Sequence, residues 1–165
     1  MKIRIILAAA MLLLPLSAQA QTAAPPPPLK TFLASADIQA LEAKAKTMPA
    51  APLISQPIVG TGGYRASLEY RSGAPAPASI HDSEAELMVV VDGSGTITMG
   101  GTLVDGKRTN PANQSGSSIT GGAPQHVTKG DMLIVPQGVA HQIAADSGVA
   151  VVLMTFHVPS PWPGK

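Results

Sequence analysis

The chain has 165 residues, no cysteine, 11 Lys plus Arg against 10 Asp plus Glu, and only 3% aromatic residues. Near-balanced charge and scarce aromatics argue against nucleic acid, which calls for a basic stripe and stacking rings. With no cysteine there are no disulfides and no thiolate ligands, and an oxidising compartment is tolerated.

Residues 1–20 read as an export signal. Lys2 and Arg4 give a positive start, Ile5 to Leu16 form a short apolar run, and Ser17-Ala18-Gln19-Ala20 offers small residues at a cleavage site. The competing assignment is a buried N-terminal helix, which the three-part pattern disfavours. The apolar run is too short to span a bilayer, so no membrane anchor is expected. There is also no twin arginine, and no cysteine for lipid attachment. Cleavage after Ala20 leaves 145 of the 165 residues, enough for one domain with its own core, in a periplasmic or secreted protein. It also removes two basic residues, so the mature chain carries nine basic against ten acidic groups.

Residues 21–30 form a Pro-rich linker. Pro25 to Pro28 favour extended polyproline geometry and feed neither helix nor sheet. The folded domain is expected over 31–165, and it begins with one helix. Ser35 is a suitable N-cap, Asp37 complements the helix dipole in the first turn, and Ile38, Leu41 and Ala45 recur at helical spacing. Glu42 and Lys46 make an i,i+4 pair, and the pattern stops before Pro49. Such a helix is expected to pack on the outside of a sheet or across a dimer contact.

From Ile58 the period changes to two. Tyr64, Ala66, Leu68 and Tyr70 alternate with Arg65, Ser67, Glu69 and Arg71, as in a half-buried strand. Glu86 to Val91 reads as another strand, which Asp92-Gly93-Ser94-Gly95 turns into Thr96 to Met99. Met132–Val135, Val139–Ile143 and Val149–Val158 supply more. Short strands, Gly- and Pro-rich turns and a single helix imply an all-β barrel or sandwich. The polar stretch 100–122 does not suit a core. It reads either as a rim or lid over a barrel mouth, or as a surface excursion.

Two stretches share one spacing logic. The first runs Gly73, five residues, Ser79-Ile80-His81, four residues, Glu86, six residues, Gly93; the second runs Gly130, five residues, Pro136-Gln137-Gly138, two residues, His141. Together they resemble the paired signature of the cupin superfamily. Two positions depart from it: Ser79 stands where the first histidine belongs, and Ala145 where the asparagine belongs. The resemblance implies the double-stranded β-helix, a small jelly-roll barrel, usually paired as a homodimer.

It also implies a site. His81 and Glu86 are five residues apart, an odd separation that points them to opposite faces of a continuous strand, so Asp82-Ser83-Glu84 must bend the chain. In cupins the equivalent segment does this, and both residues then face one cavity with the histidine of the second motif. His81, Glu86 and His141 thus form an implied 2-His-1-carboxylate set for a divalent metal ion, with coordination positions left open. These ligands do not select among iron, manganese, nickel and zinc. The competing assignment for the histidines is structural, as hydrogen-bonded barrel residues of a metal-free relative. Glu84 competes with Glu86, but the spacing to Gly93 selects Glu86 and leaves Glu84 as a solvated loop carboxylate. Ser79, Tyr70 and His157 are candidates for contact with a small-molecule ligand: a hydroxyl beside the metal, a phenol on a strand bordering the pocket, and an imidazole late in the last strand. Arg65 and Arg71 border the same region, where a bidentate grip on a carboxylate competes with an outer-face, solvated placement. His126 is expected to be exposed. Pro136, Gly138 and Gly93 serve the turns. An exported metalloenzyme of oxidoreductase or isomerase type is the first functional expectation. A non-catalytic module that binds a small molecule or metal is the second, and an inert structural relative the third.

Overall fold

The computed structural model describes residues 30–160. The expected signal 1–20 and all but the last residue of the linker 21–30 lie outside the described residues. In chain order the elements are α1 (Ser35–Lys46), β1 (Ile54–Thr61), β2 (Tyr64–Arg71), β3 (Ala78–His81), β4 (Glu84–Met99), β5 (Thr102–Val104), β6 (Lys107–Asn110), β7 (Asn113–Gly116), β8 (Ser118–Thr120), β9 (Ala123–Thr128), β10 (Met132–Val135), β11 (His141–Ala145) and β12 (Val151–Pro159). Among these described residues no helix is long and apolar enough to cross a membrane.

Every strand pair is antiparallel. One layer runs β1-β2-β12-β4-β10 and the other runs β9-β4-β11-β3-β7-β6. β4 belongs to both. Its first half pairs with β12 and β10, and its second half, from Ser94, with β11 and β9. Asp92 to Gly95 is therefore no hairpin turn but the corner at which one continuous strand passes between layers. Gly93 makes the corner possible. Its φ is +75°, and a Cβ there would lie 1.8 Å from the Ala150 carbonyl oxygen. This antiparallel sandwich, curled around a shared strand, is the double-stranded β-helix.

Between the layers lies an apolar core of Met88, Val90, Ile97, Val127, Val135, Ile143, Val151 and Leu153. Alternation along β4 and β12 sets its composition: Met88 and Val90 face inward from one, Val151 and Leu153 from the other, and register pairs Leu153 with Val90. Leu153 is fully buried. Leu153→Ala is expected to cost about 3 kcal/mol, the usual effect of an unfilled core site, read as a lower urea midpoint with an unchanged slope.

A second apolar cluster lies outside the barrel. Ile58, Ala66, Leu68 and Val152 meet Leu33, Ile38 and Leu41 beneath α1. The helix thus covers the outside of the sheet within its own chain. Ala34 occupies the N-cap position and Ser35 begins the helix, with no side-chain cap bond. The Glu42–Lys46 pair forms as the spacing indicates, at 2.6 Å.

The two faces of β2 correct the simple alternation rule. Its apolar face, with Ala66, Leu68 and Tyr70, packs under the helix cluster, so the opposite face, with Glu69 and Arg71, turns to the barrel. Tyr70 is consequently not a pocket residue of the kind expected. It is half-buried among the outer cluster and borders a groove with Met48, Ser72 and Val149. The helix supplies the physical reason: it gives that face an apolar partner, which leaves the polar face to line the interior.

The 100–122 segment is folded rather than loose. β6 and β7 extend the second layer beyond β3, while β5 and β8 pair with each other. It forms part of the barrel rim, and its side chains reach the turn between β3 and β4.

Candidate metal centre

The bend between β3 and β4 is two residues long, Asp82 and Ser83. It is held from several sides. The Asp82 carboxylate accepts from Arg108 Nη1 (2.5 Å) and Gln114 Nε2 (3.1 Å). The Asp82 amide donates to the Ala112 carbonyl at 2.8 Å, and Gln137 donates to the Asp82 carbonyl. The rim segment thus fixes the bend that resets the strand alternation and lets His81 and Glu86 face one point.

Glu86 is the centre of that point. It is 3% exposed. Its Oε2 lies 3.1 Å from His141 Nε2 and 3.5 Å from His81 Nε2, and its Oε1 lies 3.5 Å from His157 Nε2. The His81 ring sits 5.2 Å from that of His141 and 5.1 Å from that of His157, centroid to centroid. Strand register accounts for the convergence: His157 is directly opposite Glu86 across β12 and β4, and His141 is opposite Ser79 across β11 and β3.

Each imidazole shows an oxygen to its other nitrogen. His81 Nδ1 is 2.5 Å from Asn113 Oδ1, and Asn113 Nδ2 in turn donates to Asn110 Oδ1, which fixes the amide orientation. His141 Nδ1 is 3.3 Å from the Val139 carbonyl oxygen. His157 Nδ1 is 3.0 Å from Glu84 Oε1. With a metal ion on Nε2, the oxygens beside Nδ1 of His81 and His141 would hold the ring proton, whereas Nδ1 of His157 is buried without a hydrogen bond despite its closeness to Glu84.

Burial and neighbouring charge oppose each other at these groups. Burial works to push the Glu86 carboxyl up, but His141 and His81 facing it outweigh this and hold it well below the usual carboxylate range. Burial likewise works to lower His81, and is outweighed by Glu86 and Asn113, so that its net shift is upward. His157 is pushed down by burial in spite of the Glu86 charge, toward the neutral form.

A divalent cation fits this donor set. Ligands about 2.0–2.1 Å from one ion stand about 3.0 Å apart at right angles and about 3.4 Å apart at the tetrahedral angle. The Glu86–histidine separations of 3.1–3.5 Å match those edges. Glu86 Oε2 is also buried without a hydrogen-bond partner, although it faces two imidazole nitrogens. An unbonded buried carboxylate oxygen is costly unless a cation satisfies it. Among the described residues His81, Glu86 and His157 form the group whose ligand atoms all lie within 4.8 Å of one another; His141, expected as the second histidine, stands outside that group and adjoins it at Glu86 Oε2, 3.1 Å away.

Four placements differ from expectation or complete it. Glu84 is no solvated loop carboxylate: its side chain is 12% exposed, at the start of β4, and is gripped by Arg65 through Nη1 (2.6 Å) and Nη2 (2.5 Å). Pairing with Arg65 outweighs the opposing effect of burial and holds Glu84 below its usual range. Arg71 is buried rather than outer-face, and bonds Glu69 Oε2 through Nε (3.2 Å) and Nη2 (2.5 Å). His157 joins the cluster although no motif surrounds it. The only sequence signal was parity, since it shares a strand face with buried Thr155, Leu153 and Val151. His126 is exposed, as expected, beside Asp146 at 3.0 Å.

Ser79, directly opposite His141 in the β11–β3 register, lies on the wall of an adjoining cavity of about 460 Å³. Arg71, Ser115, His141 and Gln142 line the same space, so His141 is shared between cluster and cavity.

Residues 55–161 match the family model described as Cupin. No functionally curated protein matches the chain. Among solved structures, a protein from Bacillus halodurans aligns at 17% identity and a TM-score of 0.52, over 81% of this chain and 85% of that one. A conserved protein with a double-stranded β-helix domain from Klebsiella pneumoniae aligns at 14% identity and a TM-score of 0.51, over 69% and 84%. A hydroquinone 1,2-dioxygenase in complex with Cd2+ and 4-hydroxybenzonitrile aligns at 16% identity and a TM-score of 0.52, over 72% and 71%. At these identities the likeness is one of fold.

Proposed function

The chain belongs to the cupin family, and we propose that it is an exported metalloprotein whose barrel mouth holds one divalent ion on His81, Glu86 and His141 and presents it to a small polar molecule. The observation that carries this reading is the buried Glu86 carboxylate, unbonded at Oε2 and ringed by three imidazoles. A bound ion of this kind polarises an oxygen of its ligand or, if it is redox-active, activates oxygen. The protein supplies the rest. Glu86 holds a full negative charge in a dry setting, and Asn113 and the Val139 carbonyl fix the His81 and His141 rings.

The ligand's place is the cavity beside His141. Its wall offers the Ser79 hydroxyl and the Arg71 guanidinium. Glu69 occupies Nε and Nη2 of Arg71, which leaves the Nη1 edge for an oxygen of the ligand. An oxidoreductase or isomerase acting on a small oxygen-rich molecule fits such a site. The Ser79 departure favours one further reading, a non-catalytic module that captures a metal or small ligand outside the cytoplasm. Turnover assays on metal-loaded protein separate the two. Export rests on the pattern of residues 1–20, and mass spectrometry of the exported protein is expected to find a start at Gln21; intact residues 1–20 on a cytosolic protein would rule that out.

Elemental analysis of protein purified from its native compartment is expected to find about one equivalent of a transition metal or zinc. Stripping the ion and restoring it at a free concentration near 100 times its Kd is expected to stabilise the fold by about 2.7 kcal/mol, a rise in Tm on the order of 10 °C. A stripped protein that neither takes up a divalent ion nor shifts its Tm would overturn the metal reading.

A further inference from the structure

We propose that His157 is a third imidazole ligand of this ion, held in place by Glu84 and Arg65, and that it replaces the imidazole which Ser79 does not supply. The inference rests on the proposed metal site and extends it from the two motifs to the last strand.

Three independent features point to it. First, His157 lies directly across from Glu86 in the β12–β4 register, and its Nε2 stands 3.5 Å from Glu86 Oε1. That is the same separation that His81 keeps from Oε2. Together with His81 and Glu86 it makes the group whose ligand atoms are mutually within 4.8 Å. Second, its back nitrogen faces a carboxylate, Glu84 Oε1 at 3.0 Å. Nδ1 is buried here without a hydrogen bond, so Glu84 is the group placed to accept one when the ring turns onto a metal ion, and a carboxylate so bonded raises the basicity of the nitrogen that meets the metal. Third, Glu84 is itself fixed: Arg65, which is opposite His157 in the β2–β12 register, binds both its oxygens at 2.6 and 2.5 Å. Arg65, Glu84 and His157 thus form a chain of contacts that ends at Nε2. A surface-facing histidine would not stand between the half-buried Glu84 carboxylate on one side and the buried Glu86 carboxylate on the other.

The replacement also makes chemical sense of Ser79. A neutral hydroxyl is a poor ligand for these cations. With His157 the set regains three imidazoles and one carboxylate, and the third imidazole comes from β12 rather than β3. The β3 side is left with a small side chain on the cavity wall beside Arg71 and Ser115. The exchange widens the approach for the ligand without reducing the number of donors.

Cobalt(II) titration of the stripped protein tests this, with calorimetry for Kd and proton NMR for the ligands. Each histidine bound through Nε2 gives one contact-shifted, exchangeable Nδ1–H signal. Wild type is expected to show three, from His81, His141 and His157. His157→Ala and the bulkier His157→Gln, both checked for β-rich circular dichroism, are expected to lose one signal and at least a hundredfold in affinity. Glu84→Gln is expected to weaken binding about tenfold, to keep three signals, and to move the one that disappears in His157→Ala. Ser79→His placed in the His157→Ala background is expected to restore both the third signal and most of the affinity. Wild type with only two signals, or a folded His157 variant with unchanged Kd and spectrum, would refute the role of His157 and leave the metal site standing. A wild type that takes up no cobalt at all would remove the metal reading itself, and this inference with it.

Discussion

Glu86→Gln is expected to abolish stoichiometric metal binding while leaving the barrel folded. The amide keeps the carboxylate's shape, so the buried space is filled as before. What it loses is the negative charge, which His141 and His81 hold in place against the cost of burial. It also loses one of the two anionic oxygens that the three imidazoles face. A neutral amide is a weaker donor to a divalent cation than a carboxylate. We expect the Kd to rise at least a thousandfold, about 4 kcal/mol, measured by competition with a chelating dye. His141→Ala should also lose tight binding, because one imidazole is removed and the remaining donors are disturbed on the cavity side. Stoichiometric metal in both variants would place the ion elsewhere in the protein. Glu84→Gln provides the contrast, a milder loss through a neighbour of a ligand rather than through the centre of the site.

Gly93→Ala is expected to be the most damaging single substitution outside the site. Gly93 is the corner of β4, where the strand leaves one layer for the other. Two costs add there. The left-handed backbone at φ +75° is worth about 1–2 kcal/mol for a residue with a side chain. The added Cβ would also sit 1.8 Å from the Ala150 carbonyl oxygen and 2.9 Å from its carbon. Both are backbone atoms, so no rotamer change relieves the clash, and the chain entering β12 must move away from β4. Val90 and Leu153 lie just beyond and are packed against each other. A total loss of at least about 4 kcal/mol is a large share of a typical domain's stability. Gly73→Ala is the control. Gly73 has φ +78° but nothing within 4 Å of a built Cβ, so only the backbone cost applies, about 1–2 kcal/mol. Urea unfolding followed by circular dichroism reads both. Equal effects in the two variants would mean that the close approach at Ala150 does not constrain the corner.

Several elements were legible in the sequence because local chemistry specifies them. The helix followed from the Ile38, Leu41 and Ala45 spacing and the Glu42–Lys46 pair, and it lies where the pattern places it. The two glycine-framed stretches identified the barrel, and the odd separation of His81 and Glu86 required the bend that Asp82 and Ser83 supply. Other readings failed where a neighbour outweighed a local rule. Asp92-Gly93-Ser94-Gly95 has hairpin composition but serves as a corner, since the second half of β4 pairs with β11 and β9 rather than folding back on the first. Glu84 reads as a loop carboxylate until Arg65, 19 residues earlier, is brought against it.

The sequence by itself determined that the domain is a β-barrel with one helix, and that His81, Glu86 and His141 are its candidate ligands. Spacing along a strand and the demands of tight turns are local, and they survive in one dimension. Only the tertiary structure decided which face of β2 lines the interior, that Tyr70 belongs to the outer cluster, and that the 100–122 segment braces the bend before Glu86. It alone brought His157 opposite Glu86. Strand pairing between β4 and β12 joins residues about 70 positions apart, and no local pattern encodes a register set by the packing of both layers.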